Sequence, residues 1–273
     1  MTVRQILPWA QERLKISCER PQFEAELLLA YHMKKDRTYL MLHDNDEVKN
    51  IETFKDLISR RAAHEPYEYI VGEVSFYDTY LYTAPNVLIA RPETEILVEQ
   101  AARIIEREKM TKVIEVGVGS GAIAVMLARK FPDLQIVATD ISEDALALAR
   151  RNIARHGVED QITLKKTSVI DGVQLDAEMV VSNPPYIAAD FLLEENVFSY
   201  EPHTALFGGD RGDELLKQIV LDVKEKEIKW LACEMGYDQK ESIASFVKEI
   251  GVQSVEFYKD FSGLDRGFII EFI

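Results

Sequence analysis

Residues 112–124 read KVIEVGVGSGAIA, in which an apolar run is followed by a glycine-rich loop and then by a second apolar stretch. The run Lys112–Val116 predicts a buried strand, and the residues after the loop predict a helix. Glycines at alternate positions in Gly117–Gly121 permit a tight turn and let the backbone approach a ligand closely. Asp140 ends the next predicted strand, about twenty residues further on, where a carboxylate can accept hydrogen bonds from both hydroxyls of a ribose. The pattern therefore predicts a nucleoside-binding loop between a strand and a helix.

From about Ile89 to the end of the chain, strand-like and helix-like segments alternate. This alternation predicts an α/β fold with a doubly wound, mostly parallel sheet and right-handed crossovers. The last two predicted strands, within residues 253–260 and 266–273, are joined by a loop too short for a parallel crossover, so they should pair antiparallel. A parallel sheet with an antiparallel C-terminal hairpin is typical of class I, Rossmann-like methyltransferases rather than of dinucleotide dehydrogenases.

The chain before this region has two different patterns. Residues 1–66 carry apolar side chains at helical spacing, for example Phe23, Leu27 and Tyr31, and predict a small bundle of four or five helices. Residues 67–88 are rich in Tyr, Val and Thr and predict a β-hairpin. We therefore expect a helical N-terminal domain (1–66), a hairpin connector (67–88) and a methyltransferase domain (89–273).

The composition limits the class and the compartment of the protein. Of the 273 residues, 47% are hydrophobic and 29% are charged, which is typical of a folded protein with a core. The longest apolar runs have the length of strands, far below the ~20 residues that span a bilayer. The first residues lack the apolar core of an export signal. The only cysteines, Cys18 and Cys233, lie far apart, which favours a reducing compartment and argues against a cysteine-based metal site. We expect a cytoplasmic protein with no membrane association and no metal.

The net charge bears on the choice of partner. The chain has 32 Lys and Arg residues against 47 Asp and Glu residues, a formal net charge of −15. Proteins that bind nucleic acids through their phosphates usually present a basic surface, since affinity grows with each phosphate that is neutralised. We therefore expect no stable nucleic-acid binding.

The glycine spacing also distinguishes between cofactors. The loop has the pattern GxGxG. Dinucleotide-binding loops have the pattern GxGxxG, and that pattern prepares a helix N-terminus for a pyrophosphate. S-adenosylmethionine has no phosphate and is the ligand that the GxGxG spacing favours, with Glu115 positioned for its amino-acid end. The alternative is a turn that only closes the strand–helix unit, with Asp140 as a helix N-cap. The predicted cofactor contacts are Glu115, Gly117, Val118, Gly119, Ser120, Gly121 and Asp140.

A second motif, Asn183-Pro184-Pro185-Tyr186, directly follows a predicted strand. The prolines fix φ and remove two N–H donors, so the loop offers carbonyl acceptors. The Asn183 side-chain oxygen and the Pro184 carbonyl oxygen could bind the two N–H groups of a planar amide or amine and direct its nitrogen towards a methyl donor. Tyr186 offers an aromatic wall beside the planar group. Alternatively, the Asn183 NH₂ group donates a hydrogen bond that shapes the loop. In either case the motif predicts methylation of nitrogen, with all four residues in the catalytic site.

Together with further stretches, these motifs resemble the release-factor glutamine N5-methyltransferases, the PrmC/HemK family. The resemblance covers the chain from residue 69 onwards, and the helical N-terminal segment has the size and position found in that family. The matching stretches are YIVGEVSFY (69–77), VLIARPETE (87–95), EVGVGSGAIA (115–124), SNPPYI (182–187), EPHTALFGG (201–209) and KDFSGLDRG (259–267).

The resemblance implies transfer of a methyl group from S-adenosylmethionine to the side-chain amide nitrogen (N5) of a glutamine. That glutamine would be the one in the Gly-Gly-Gln motif of class-1 peptide-chain release factors, and the helical domain would recognise the factor. The resemblance also implies that Asn183–Tyr186 bind the glutamine amide, with Arg91 and Glu93 near the substrate. Asn183 and Ser168 would add to the cofactor contacts, although Thr167-Ser168 replaces the family's Asp–aromatic pair.

Two other functions share some of these features. An N6-adenine methyltransferase acting on DNA or RNA would have both motifs, but the charge of −15 opposes it. A non-catalytic cofactor-binding module would have no need of an intact glycine loop, Asp140 and the Asn-Pro-Pro-Tyr sequence together. Methylation of a protein glutamine is therefore the function that the sequence favours.

Overall fold

The computed structural model describes all 273 residues, and their contacts divide the chain into two compact units. The helical unit comprises Met1–Glu73 and Leu193–Tyr200, and the sheet unit comprises Val74–Leu192 and Glu201–Ile273. This division differs from the boundaries expected at residues 66 and 88. Most of the expected hairpin connector lies in the sheet unit, and a short segment from far along the chain lies in the helical unit.

The chain contains eleven α-helices and eleven β-strands. The helices are α1 (Val3–Leu14), α2 (Pro21–Met33), α3 (Arg37–Leu42), α4 (Ile51–Ala62), α5 (Tyr67–Val71), α6 (Glu93–Glu108), α7 (Ala122–Lys130), α8 (Glu143–His156), α9 (Glu195–Tyr200), α10 (Glu214–Glu225) and α11 (Lys240–Ile250). The strands are β1 (Glu73–Phe76), β2 (Thr79–Tyr82), β3 (Lys112–Val116), β4 (Gln135–Asp140), β5 (Ile162–Lys166), β6 (Met179–Ser182), β7 (Ile187–Ala188), β8 (Phe207–Gly209), β9 (Trp230–Glu234), β10 (Ser254–Lys259) and β11 (Asp265–Glu271). None of the helices has the length and apolar composition needed to cross a membrane.

The helical unit is built from α1–α5 and α9. Pro21 opens α2, where the missing backbone N–H would have no partner within the helix in any case. The apolar faces of the helices enclose a core in which side chains such as Leu28 and Phe54 are fully buried. Tyr200, the last residue of α9, donates a hydrogen bond from its hydroxyl to the carbonyl oxygen of Ala63 at 2.6 Å. The late segment is thus tied to the first helices of the chain.

The start of the predicted hairpin is helical, so the strand prediction is wrong there. Residues 67–71 form the short helix α5, which begins after Pro66 and ends at Gly72 in the left-handed conformation (φ 82°). Burial of Tyr69 and Ile70 outweighs the strand preference of this Tyr- and Val-rich stretch. The hairpin itself, β1 and β2, begins only at Glu73.

The main sheet has seven strands in the order β10-β11-β9-β6-β3-β4-β5. Strands β9, β6, β3, β4 and β5 are parallel to one another, whereas β11 is antiparallel to both β9 and β10. The pairing of β10 with β11 confirms the antiparallel C-terminal hairpin expected from its short loop. The fold class predicted from the alternating pattern is confirmed.

Helices cover both faces of the sheet, which explains why its central strands are apolar at nearly every position. On β3, Val113 faces the layer formed by α6, α7 and α8, and Ile114 faces the layer formed by α10 and α11. Fully burying an aliphatic side chain of this kind stabilises the fold by about 1.5–3 kcal/mol. Because β9, β6, β3 and β4 run in parallel, their carboxyl ends lie side by side at one edge of the sheet.

A second parallel pair, β7 with β8, was not expected from the sequence. It joins Ile187–Ala188, just after the Asn-Pro-Pro-Tyr sequence, to Phe207–Gly209. Elements of two and three residues carry too little periodicity to be recognised, so their pairing becomes visible only in the structure. The pair brings the stretch 182–187 next to the stretch 201–209.

Candidate active site

Four neighbouring strands supply the polar residues of the candidate site. Asp140 and Glu234 are the last residues of β4 and β9, whereas Gly117 and Asn183 directly follow β3 and β6. The strand order β9-β6-β3-β4 places these ends next to one another. Ligands of open α/β sheets bind at this edge, because the loops that leave neighbouring strands there diverge around a crevice.

The glycine loop has the conformation that its sequence requires. Gly117, Gly119 and Gly121 have φ angles of 74°, 51° and 85°, in the left-handed region that side chains other than glycine rarely adopt. The Asp140 carboxylate accepts hydrogen bonds from the backbone N–H of Gly119 at 3.0 Å and of Ser142 at 2.9 Å. The N-cap of α8 is Ser142, which accepts from the N–H of Ala145. Asp140 therefore orders the glycine loop, and the alternative role as helix N-cap belongs to Ser142.

A cavity of about 190 Å³ opens beside the glycine loop. Its floor is formed by the ends of the strands, and Leu88 and Leu215 contribute apolar walls from flanking segments. Ser168, after β5, also lines it, although its side chain is exposed. The predicted site residues on this cavity are Gly117, Gly119, Asp140, Ser168, Asn183, Pro184 and Pro185.

A smaller cavity of about 50 Å³ continues from the first and shares Gly117, Gly119 and Asn183 with it. Glu115 lines this smaller cavity and is only 1% exposed, and its Oε2 atom has no hydrogen-bond partner. Complete burial raises the pKa of this carboxyl well above its ordinary value, and the charge of Asp140 acts in the same direction. The backbone N–H of Ala124 opposes that shift. An unpartnered buried carboxyl of this kind is suited to a positively charged hydrogen-bond donor.

The polar residues that line the two neighbouring cavities suit the functional groups of S-adenosylmethionine. Asp140 lies on the larger cavity, where it could accept from ribose hydroxyls, and Glu115 lies on the smaller one, where it could accept from an ammonium group. Val118 and Ser120 line the smaller cavity as well. Gly121 lines neither cavity; its Cβ would lie 3.3 Å from the Cα of Ala149, so it allows close packing of the loop on α8.

The side chain of Asn183 is held by a buried chain of hydrogen bonds. Its Nδ2 donates to Thr94 Oγ1 at 2.9 Å, and Thr94 Oγ1 donates to Glu234 Oε2 at 2.9 Å. The other carboxyl oxygen of Glu234 accepts from the Tyr186 hydroxyl at 2.8 Å. No protein group donates to Asn183 Oδ1, and Asn183 lines both cavities. The NH₂ group therefore has the loop-shaping role considered from the sequence, and the carbonyl oxygen stays available as an acceptor.

Tyr186 does not have the position expected of an aromatic wall. It lines neither cavity, and its ring packs against the apolar layer on the α10–α11 side of the sheet. Burial and the neighbouring Glu234 raise the pKa of its hydroxyl. Tyr186 therefore stays protonated and donates to the carboxyl of Glu234, so its expected contact with a planar substrate group is not what the structure shows.

Arg91 and Glu93 differ in their relation to the site. Arg91 lines the smaller cavity, and its Nη2 donates to Glu201 Oε1 at 2.5 Å. Glu201 is buried and also accepts from the backbone N–H of Ile89. The ion pair fixes residues 87–95 against residues 201–209. Glu93 lies in the first turn of α6 and lines neither cavity.

Two protein-family models match parts of this chain. Residues 5–72 match the PrmC N-terminal domain, and residues 92–201 match the methyltransferase small domain. A release factor glutamine methyltransferase of Koribacter versatilis is 37% identical over 92% of this chain and 90% of its own length. Another from Geobacter sulfurreducens is 34% identical over 97% of this chain and 95% of its own length.

The chain belongs to the release factor glutamine methyltransferase family. This membership confirms the predicted family, and with it the enzyme class, a methyltransferase that uses S-adenosylmethionine. Among solved structures, the N-terminal domain of human METTL16 in complex with SAH covers 90% of this chain and 94% of that chain, with a TM-score of 0.53 and 14% identity. At that identity the likeness shows the fold alone.

In this family member, sequence reasoning did not predict the hydrogen-bonded pair that Thr94 and Glu234 form beside Asn183. Glu234 ends the otherwise apolar run Trp230–Glu234, and an acid at the carboxyl end of a buried strand is a usable signal. Thr94 lies within the matching stretch 87–95, but nothing in its local sequence predicts its partners. Thr94 and Glu234 are 140 positions apart, so their contact depends on the tertiary structure.

Proposed function

We propose that this protein methylates the side-chain amide nitrogen (N5) of the glutamine in the Gly-Gly-Gln motif of class-1 peptide-chain release factors. The observation that carries the proposal is the state of Asn183: its NH₂ group is bound within the protein, and its carbonyl oxygen is left as an acceptor beside both cavities. Relatives named release factor glutamine methyltransferase support the choice of substrate.

The residues of the chain orient and stabilise the reacting groups. Asn183 Oδ1 and the carbonyl oxygen of Pro184 accept from the two N–H groups of the glutamine amide and direct the nitrogen, while Asp140 and Glu115 bind the ribose and ammonium ends of the cofactor. When bound, S-adenosylmethionine supplies the methyl group, whose bond to sulfur breaks as the bond to the amide nitrogen forms. The alkylated nitrogen becomes acidic and releases one proton to water. Positive charge that develops on the nitrogen is stabilised by the fixed oxygen dipoles.

The helical unit would bind the release factor at a distance from the reacting glutamine. Binding energy from remote parts of a substrate can position the reacting group, which is otherwise a poor nucleophile because its lone pair is delocalised. A substrate of the translation machinery would also place the activity in the cytoplasm. The net charge of −15 favours a protein over a nucleic acid as substrate.

The proposal is tested with methyl-labelled S-adenosylmethionine and a purified release factor, followed by mass spectrometry of the labelled peptide. We expect one label on the glutamine of the Gly-Gly-Gln motif. A factor with that glutamine replaced by alanine should take up none. Asn183→Ala should change cofactor affinity little, because the ends of the other strands provide most of the cofactor contacts, and should methylate about 10²–10³-fold more slowly. Label on duplex DNA or ribosomal RNA, or absence of label from that glutamine, would contradict the proposal.

A further inference from the structure

We propose that Thr94 and Glu234 are positioning residues, which hold the Asn183 amide with its carbonyl oxygen towards the substrate. The inference rests on the proposed function, because it concerns how Asn183 meets the glutamine amide. Glu234 lines neither cavity. Thr94 lines the smaller cavity, but its hydroxyl is occupied by Glu234 and Asn183, so we assign it no contact with the reacting atoms.

The argument starts at Glu234, which is 1% exposed at the end of β9. Hydroxyl groups of Thr94 and Tyr186 each donate to one of its two oxygens. Burial raises the pKa of this carboxyl and the nearby charge of Glu93 acts in the same direction, whereas the two hydroxyl donors and the positive charge of Arg266 oppose the shift. In the structure each hydroxyl donates its one hydrogen to a different oxygen of Glu234, so neither hydrogen is left for another acceptor.

The direction of the next bond follows from that commitment. A threonine hydroxyl has one hydrogen, and Thr94 gives it to Glu234, so Thr94 Oγ1 can only accept from Asn183. If the Asn183 amide were turned by 180°, two oxygens would face each other without a hydrogen between them. Burial makes such an arrangement costly, because neither oxygen could turn to water. Glu234 therefore determines, through Thr94, which end of the Asn183 amide faces the cavities.

The position of Thr94 suits this role. It is 4% exposed and lies in the first turn of α6, which follows the Arg91–Glu201 ion pair. Its branched side chain has restricted rotation about χ1, so the hydroxyl stays in place between its two partners. An acceptor fixed before the substrate arrives needs no reorganisation during the reaction, which is the main source of electrostatic catalysis.

Thr94→Val and Thr94→Ser form the matched pair that tests the inference. Valine keeps the shape of threonine but leaves the Asn183 NH₂ group and Glu234 Oε2 without a partner, whereas serine keeps the hydroxyl. At saturating cofactor and release factor, we expect the single-turnover rate of Thr94→Val to fall about 10- to 100-fold. Thr94→Ser should stay within about threefold of wild type, and both should bind cofactor as wild type does.

Ser182→Ala is the control for loss of a buried hydroxyl near the site. Ser182 precedes Asn183 and donates to the backbone carbonyl of Val116, with no link to Thr94 or Glu234. Its rate should stay within about threefold of wild type. A structural defect alone would raise KM or weaken cofactor binding and would not be rescued by serine. If Thr94→Val fails to bind cofactor, Thr94→Ala, which adds no atoms, takes its place.

A second measurement separates this inference from the proposed function. In protein with ¹⁵N-labelled asparagine, the side-chain NH₂ signal of Asn183, assigned by its loss in Asn183→Ala, reports the bond to Thr94 without any substrate. We expect the signal to shift in Thr94→Val and not in Thr94→Ser. An unchanged signal, or a wild-type rate in Thr94→Val, overturns the inference. Failure of the wild-type enzyme to label the release factor would overturn the proposed function while this measurement still decides the role of Thr94.

Discussion

Two buried glutamates lie at the same edge of the sheet and differ in their partners. Both oxygens of Glu234 accept from protein hydroxyls, so its hydrogen-bonding capacity is used within the protein. Glu115, which lines the smaller cavity, has one oxygen without a partner. Unsatisfied buried polar groups are rare in folded proteins, and a bound ligand is one explanation for such a group. Two identical and equally buried side chains therefore receive different assignments, Glu234 as a positioning residue and Glu115 as a ligand-binding residue.

At the residue scale, we predict that cofactor binding strengthens as pH rises because of Glu115. Burial raises its pKa from the ordinary 4.5 in the cofactor-free protein, whereas an ammonium ligand favours the ionised form. At pH values between 4.5 and the raised pKa, Glu115 is protonated in the cofactor-free protein and releases this proton when the cofactor binds. Across the same window the stability of the empty protein should fall as pH rises, because the unfolded chain binds fewer protons. Calorimetry in buffers of different ionisation enthalpy measures the released proton.

Glu115→Gln is the control for this prediction. The amide is close in shape but does not titrate, so proton release and the pH dependence of cofactor affinity should both disappear. The affinity itself should fall about 10- to 100-fold, since a charge-assisted hydrogen bond is lost. A wild-type binding enthalpy that does not vary with the buffer would contradict the assignment of Glu115.

At the scale of elements, β8 and the turn after it support the loop that carries Asn183. A Cβ atom on Gly208 would lie 2.4 Å from the carbonyl oxygen of Pro185, and one on Gly212 would lie 2.4 Å from that of Tyr186. Both distances are far inside van der Waals contact. The glycines therefore let β8 and this turn approach the Asn-Pro-Pro-Tyr sequence at backbone distance.

We predict that Gly208→Ala displaces this loop. The added methyl group meets backbone atoms, which cannot rotate away, so the unfolding free energy should fall by about 1–3 kcal/mol. Methylation should slow as well, because Asn183 moves with the loop. Denaturant titration and single-turnover kinetics give the two values. Gly263→Ala is the control: Gly263 has a φ of 81° but nothing within 4 Å of its Cβ position, so only backbone strain is added. Equal kinetics in the two variants would refute the supporting role of β8.

The same scale shows what the sequence could and could not predict. The strand–loop–helix around Gly117–Gly121 was predictable because glycine spacing and apolar runs express local backbone preferences. The β11 pairing with β10 was predictable because the loop between them is short. By contrast, β7 and β8 are defined by pairing between distant segments, and the Thr94–Glu234 bond joins α6 to β9. Contacts of this kind have no periodicity for sequence reasoning to detect.

At the scale of the whole molecule, we predict that the helical unit contributes to binding of the intact release factor and not to the methyl-transfer step. A chain shortened by residues 1–73 should bind cofactor, because every residue of both cavities belongs to the sheet unit. Its kcat/KM for the intact factor should fall by about tenfold or more, as remote binding energy is lost. Its kcat/KM for a short peptide that contains Gly-Gly-Gln should change little, so the peptide is the internal control. If the ratio of kcat/KM for the intact factor to kcat/KM for the peptide were the same in the shortened and the full chain, this division of roles would be contradicted.

The discontinuous helical unit has a consequence for folding during synthesis. About 120 residues separate Glu73 from Leu193, and a ribosome needs roughly 6–24 s to translate them. Helices α1–α5 thus leave the exit tunnel well before α9. The hydrogen bond between the carbonyl of Ala63 and the hydroxyl of Tyr200 can form only after α9 has emerged. Until then the nascent bundle lacks one of its helices. The first part of the chain to be made is therefore among the last to reach its complete structure.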